Sequence, residues 1–277
     1  MKKYGILFLV IMTTMLFSCS KEYDLSIVET TMFEGNGINA FATNAAWETT
    51  IIKSDNPRVE LQYSKCLEKG VMANLNNGKL DLGLSLSTFI PAGATMKAIV
   101  YTDKINDISL NYGSTLEFNG IFQASSLNIK LAKASSCRKL DIAVEDDCNI
   151  SLDGSSVLSD YKITCTNATI AASNTSHIAG TMAPTDKLEV ELKNGSRLVN
   201  YQSAPSSVKA KLEGASLMNI TQTATQSLDI EMSASEATVN VSETITGKLS
   251  DASTLYYTGN ANISLLEVEE ESKVVVF

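Results

Sequence analysis

The chain of 277 residues holds one histidine, one tryptophan, four prolines and three arginines. A single histidine rules out metal centres built on several imidazoles and makes any Ser-His-Asp relay depend on His177 alone. With so few prolines, nearly every backbone N–H is free to enter a hydrogen-bonded ladder. Basic residues are outnumbered, 22 Lys and Arg against 31 Asp and Glu, and the net charge of −9 argues against nucleic acid and other polyphosphate partners. No segment carries the 3.6-residue periodicity of a long amphipathic helix.

What is present is a phrase written nine times: an apolar residue, two turn-forming residues, a small residue, then Ser or a polar substitute. It runs Leu110 to Ser114, Leu131 to Ser135, Leu152 to Ser156, Ile170 to Asn174, Leu192 to Ser196, Leu212 to Ser216, Met232 to Glu236, Leu249 to Ser253 and Val268 to Ser272. The polar positions are 21, 21, 18, 22, 20, 20, 17 and 19 residues apart, the mark of a solenoid.

Upstream of each anchor the apolar residues alternate, as in Leu127-Asn-Ile129-Lys-Leu131 and Leu188-Glu-Val190-Glu-Leu192. That period of two describes a strand with one face inside. Beyond the corner an apolar residue returns at Leu116, Cys137, Leu158, Leu198, Met218 and Leu255, so the second side of the coil also points inward. One such unit cannot bury its apolar side alone, whereas stacked units cover one another at about 4.8 Å. The expected fold is all-β, a right-handed parallel β-helix of roughly 20-residue coils, the hand following from the preference of parallel crossovers. The Leu-x-x-Leu-x-Leu-x-x-Asn phrase of leucine-rich repeats does not fit. The polar column at Ser114, Ser135, Ser156, Asn174, Ser196, Ser216, Ser253 and Ser272 reads as a structural ladder, with a hydroxyl stripe for sugar as the competing reading.

Lys2 and Lys3 precede an apolar run, Gly5 to Phe17, that is too short to span a membrane and ends in Leu16-Phe17-Ser18-Cys19. Residues 1–18 therefore read as an export signal, and the tetrapeptide resembles the lipobox of bacterial lipoproteins, which implies acylation of Cys19. Loss of Lys2 and Lys3 takes the charge from −9 to −11. Ser20 resembles the pattern that permits outer-membrane sorting, and Lys21-Glu22-Tyr23-Asp24 a surface-export tag. Residues 19–32 are expected to be a lipid-anchored linker and 33–277 a single β-helix domain. The remaining cysteines, Cys66, Cys137, Cys148 and Cys165, match no metal or redox spacing; Cys137, Cys148 and Cys165 fall at apolar positions and read as buried thiols, with a disulfide between neighbouring coils as the alternative.

Residues 33–105 are strand-like without the polar column: Val59 to Tyr63, Leu80 to Leu86 and Ala98 to Tyr101, with Asn76-Asn77-Gly78 as a turn. They are expected to start or cap the solenoid, and 106–277 to form the repeated coils. This order of parts, from Phe33 and Ile38 through the Asn-Gly-Lys-Leu-Asp-Leu stretch at 77–82 to the repeated Leu-x-Ile-x-Leu units, resembles the head GIN domain family of auto-transporter adhesins, frequent among Bacteroidetes lipoproteins. The resemblance implies the fold and an adhesive role, with no family catalytic residue to carry over.

A search for chemistry finds scattered pieces. Carboxylates cluster at Glu145-Asp146-Asp147 and Glu269-Glu270-Glu271, and a β-helix lyase would pair such a cluster with calcium and a basic residue from Arg58, Arg138 or Arg197. A glycosidase pair is not singled out. Trp47, Tyr112, Tyr201, Tyr256 and Tyr257 are candidate sugar platforms, although Tyr256 and Tyr257 must point to opposite faces of a strand. The reading is a non-catalytic envelope lipoprotein without cofactor or metal, held to the outer membrane through Cys19 and recognising a glycan or protein. The alternatives are a polysaccharide lyase or hydrolase and a structural or signalling envelope component.

Overall fold

A computed structural model describes residues 23–34, 37–200 and 205–277. The leader at 1–18, Cys19 and Tyr201 lie outside the described residues. The described chain is a β-solenoid of about eight turns.

Its first ten strands are β1 (Ile27–Met32), β2 (Ala40–Thr43), β3 (Glu48–Lys53), β4 (Arg58–Ser64), β5 (Val71–Asn76), β6 (Lys79–Leu84), β7 (Met96–Thr102), β8 (Asp107–Leu110), β9 (Thr115–Asn119) and β10 (Ile121–Ala124). From β8 onward each coil has three sides: one like β8, a sharp corner, one like β9, and one like β10. In later coils the sides merge into long bent strands, as in Val157–Ala172 and Leu217–Ser233.

Parallel register puts like residues over like. On the first side Ile108, Ile129, Ile150, Ile170, Val190, Ala210 and Ile230 form one inward column. On the second side Leu116, Cys137, Leu158, Ile178, Leu198, Met218, Ala237 and Leu255 form another. These side chains are buried, and each large one contributes about 1.5–3 kcal/mol relative to leaving it in water. On the third side Phe122, Ile142, Ile163 and Met182 complete the core. Gly180 lies over Tyr161, where a Cβ would come within 2.5 Å of the ring, so a glycine is required for the large ring below it.

The amino-terminal part departs from simple stacking. β2 and β3 are followed in sequence by β4 to β7, yet in space they lie between β6 and β7 on one side and β8 and β9 on the other. Beyond that first layer β4 runs antiparallel to β7, β1 antiparallel to β4, and β5 antiparallel to β6 through the turn at Asn77-Gly78. The antiparallel strands cover the end of the core, including Val59, Leu61, Leu80 and Val100. Residues 27–32, expected in a linker, are therefore a strand: Ile27 to Met32 pair residue by residue with Ser64 to Val59. The pairing gives these backbone groups partners that a linker would lack.

Trp47 is fully buried in the first layer, which corrects its assignment as a sugar platform. Its indole N–H has no hydrogen-bond partner among the described residues, nor has the Thr49 hydroxyl. The four described cysteines are free thiols. Burial pushes the Cys137 thiol up to about 12. Cys148 is also raised, by donating its proton to Cys165 and by burial.

Candidate functional site

Between the first and second sides, two consecutive residues take left-handed backbone: Tyr112 and Gly113, Lys133 and Ala134, Gly154 and Ser155, Asn174 and Thr175, Asn194 and Gly195, Gly214 and Ala215, Asp251 and Ala252. Gly and Asn tolerate this region best and small residues follow, which is the physical origin of the small position in the repeat. The corner frees a carbonyl, and the next residue, a serine, satisfies it. The hydroxyls of Ser135, Ser156, Ser176, Ser196, Ser216 and Ser253 donate to the carbonyls of Ala132, Asp153, Ser173, Lys193, Glu213 and Ser250 at 2.6–2.8 Å. Ser114 does the same with Asn111. The hydroxyls also accept from the coil before, as when the N–H groups of Ser156, Ser235 and Ser253 reach Ser176, Ser253 and Ser272 at 3.2–3.3 Å.

All nine column positions, Ser114, Ser135, Ser156, Ser176, Ser196, Ser216, Ser235, Ser253 and Ser272, are buried. A hydroxyl in the wall cannot meet a ligand, so the column is not a sugar-binding stripe. Two assignments are corrected. The residue above Ser156 is Ser176, and Asn174 stands outside the corner, donating to Asp153 at 2.6 Å and accepting from Asn194 at 3.1 Å. Likewise Ser235 occupies the column and Glu236 is the first residue of the following strand, in register with Leu217. The sequence held a signal for both, because Ser176 and Ser235 even out intervals that Asn174 and Glu236 make irregular.

The remaining candidates are dispersed. His177 is half-buried, in register with Val157 below and Arg197 above. Arg58 pairs with Glu60 at 2.8 Å and lies over Tyr101, and Arg138 pairs with Glu117 at 2.8 Å. Both guanidinium groups are thus engaged away from the Glu145-Asp146-Asp147 corner. Hydrogen bonds from Lys139 and charge from Arg138 hold the Glu117 carboxyl below its usual range. Among the described residues no three His, Cys, Asp or Glu side chains converge to hold a metal. Tyr112 is exposed with the Lys133 ammonium 3.8 Å over its ring, Tyr257 is buried, and Tyr256 faces outward on the same strand.

What faces solvent is a set of polar ladders. Asn149 donates to Asn128 and Asn128 to Asp107, at 3.1 and 3.0 Å. Farther along the same side the sign alternates from coil to coil: Glu191, Lys211, Glu231, Lys248, Glu267. Here a groove of about 380 Å³ is lined by Lys211, Glu213, Glu231, Met232, Lys248 and Ser250. A second groove, of about 540 Å³, lies on the second side near the amino terminus, between Gln62, Lys97, Glu48, Thr115, Ser136 and Arg138.

These features define a class: a β-solenoid whose repeated hydroxyls serve the scaffold and whose chemistry lies on outward polar faces. The chain belongs to the family described as "Putative auto-transporter adhesin, head GIN domain", which matches residues 39–261. Solved structures share the fold at low identity. A "putative adhesin" from Parabacteroides merdae is 11% identical with a TM-score of 0.68, covering 91% of this chain and 96% of that one. A "putative lipid binding protein" from Parabacteroides distasonis is 10% identical with a TM-score of 0.66, covering 92% and 98%. A "putative adhesin" from Bacteroides fragilis is 11% identical with a TM-score of 0.55, covering 91% and 97%. No curated protein matches in sequence.

Proposed function

We propose that the protein is a non-catalytic lipoprotein of the outer membrane, acylated at Cys19, whose solenoid recognises a glycan or protein at the cell envelope. The observation that carries this reading is the division of labour in the coil: repeat hydroxyls turn inward to the backbone, while the outward faces present ordered ladders of amide and charged groups. Membership of an adhesin family supports it. Anchoring at the amino terminus leaves the carboxy-terminal coils farthest from the membrane, so the groove between Lys211, Glu231 and Lys248 is the recognition site proposed. Its rows of opposite charge suit a ligand with both hydrogen-bonding and ionic groups.

The test is a screen of the mature protein against glycan arrays and envelope extracts. Saturable binding lost in Lys211→Glu with Lys248→Glu supports the reading. Absence of any ligand in both screens overturns recognition. Binding that survives the double variant moves the site elsewhere on the solenoid.

A further inference from the structure

At the capped end one surface does not suit water. The connection from β6 to β7 carries Leu86, Phe89 and Ile90 with relative exposures of 108%, 67% and 41%, and Leu25 beside it is 41% exposed. From Leu82 to Met96 the chain has 15 residues without a charge. The segment is nonetheless built: the Ser85 N–H reaches the Gly70 carbonyl at 2.9 Å, the Ser64 N–H that of Thr95 at 3.0 Å, and Pro91 is buried. A loop tied at both ends that holds three large apolar side chains in solvent has a use for them.

The segment that leads into β1 indicates what that use is. The Tyr23 ring lies 5.8 Å from Phe89, and Leu25 would be 3.9 Å from a Cβ at Gly93. The backbone here is tied to the domain, since the Asp24 and Ser26 carbonyls accept from the Cys66 and Lys65 N–H groups at 2.9 and 2.8 Å. Cys19 precedes Tyr23 by four residues, so its Cα is within about 14 Å of that of Tyr23 in any conformation. Acyl chains on Cys19 would enter the bilayer beside Phe89. We propose that Leu86, Phe89 and Ile90, with Leu25, form an interfacial wedge that inserts into the same bilayer and sets the solenoid upright on it. This inference rests on the acylation of Cys19 put forward above. Aromatic and aliphatic side chains on a loop that itself carries no charge suit the headgroup and upper acyl region, where the exposed Asp24 and Lys65 beside it can stay among the headgroups, and a second contact converts a swinging tether into a fixed base.

The experiment places Phe89→Trp in the mature, acylated chain on phosphatidylcholine vesicles with brominated acyl chains, and Leu265→Trp at the far end as control. Trp47 is buried and contributes a constant background. The expected result is quenching and a blue shift at position 89 with none at 265. Equal accessibility to water at both positions on vesicle-bound protein overturns the wedge, as does shielding of position 89 by a second copy of the chain. Mass analysis of the amino-terminal peptide tests acylation separately. If Cys19 proves unmodified, the same probes on the unacylated chain decide: vesicle quenching at 89, weakened about tenfold by Leu86→Ser with Ile90→Ser, retains the wedge, and none rejects it.

Discussion

The two ends of the solenoid solve one problem differently. At the amino-terminal end β1, β4 and β5 run antiparallel to their neighbours over the outermost coil, and Val59 and Leu61 on β4 and Leu80 on β6 are fully buried. At the other end the strands Asn262–Val268 and Lys273–Val276 lie on the coil below with nothing described above them. Inward residues there, such as Val268 and Val276, are 45% and 64% exposed. The same inward pattern is thus core in one place and surface in another, because burial in a stack comes from neighbours as much as from the residue.

Four substitutions sharpen this contrast. The largest effect is expected from Leu158→Ala, in mid-stack with coils on both sides, at about 2–5 kcal/mol by denaturant unfolding, against less than about 1 kcal/mol for Val276→Ala. Equal costs would mean that the stack does not transmit burial as described. Next, Ser196→Ala orphans the Lys193 carbonyl in the wall and is expected to cost about 1–3 kcal/mol, with Asn174→Ala on the outer ladder costing only a few tenths.

Alkaline pH should act on the middle of the stack. Burial raises the Cys137 thiol from 9.0 to about 12. The folded chain then holds a proton that the unfolded chain releases, so stability is lost as pH rises from about 9 towards 12. Thermal melts should show this decline, and Cys137→Ala should flatten it. The smallest effect is a gain: Ala215 sits at φ 61, and Ala215→Gly should stabilise by up to about 1 kcal/mol by relieving left-handed strain. A loss there would show that the corner tolerates a Cβ without cost.

Much of this architecture was readable before any coordinates. The intervals near 20 residues, the alternation before each corner and the small residue before each serine announce coils, and the inward columns follow. Where sequence pattern and structure differ, local geometry is the reason. The residue four places before Ser176 is Ala172, too small to mark itself as an anchor beside Ile170, and the repeat phrase counted from Ile170 ends on Asn174. Before Ser235 only Ala234 takes the left-handed turn, the corner is one residue shorter, and the count overran to Glu236. The insertion of β2 and β3 between β6/β7 and β8/β9 left no trace in the order of residues. Trp47 looked like a platform because an aromatic ring carries no mark of which way it faces.

Periodicity and corner chemistry alone determined the class of fold, since a coil of this length with one apolar side has no stable existence except under another. Which hydroxyls face the backbone, which loop holds its apolar side chains in water and which end is covered were decided only in three dimensions. They depend on which segments become neighbours across many intervening residues, and that choice is made by burial and hydrogen-bond satisfaction summed over the whole stack.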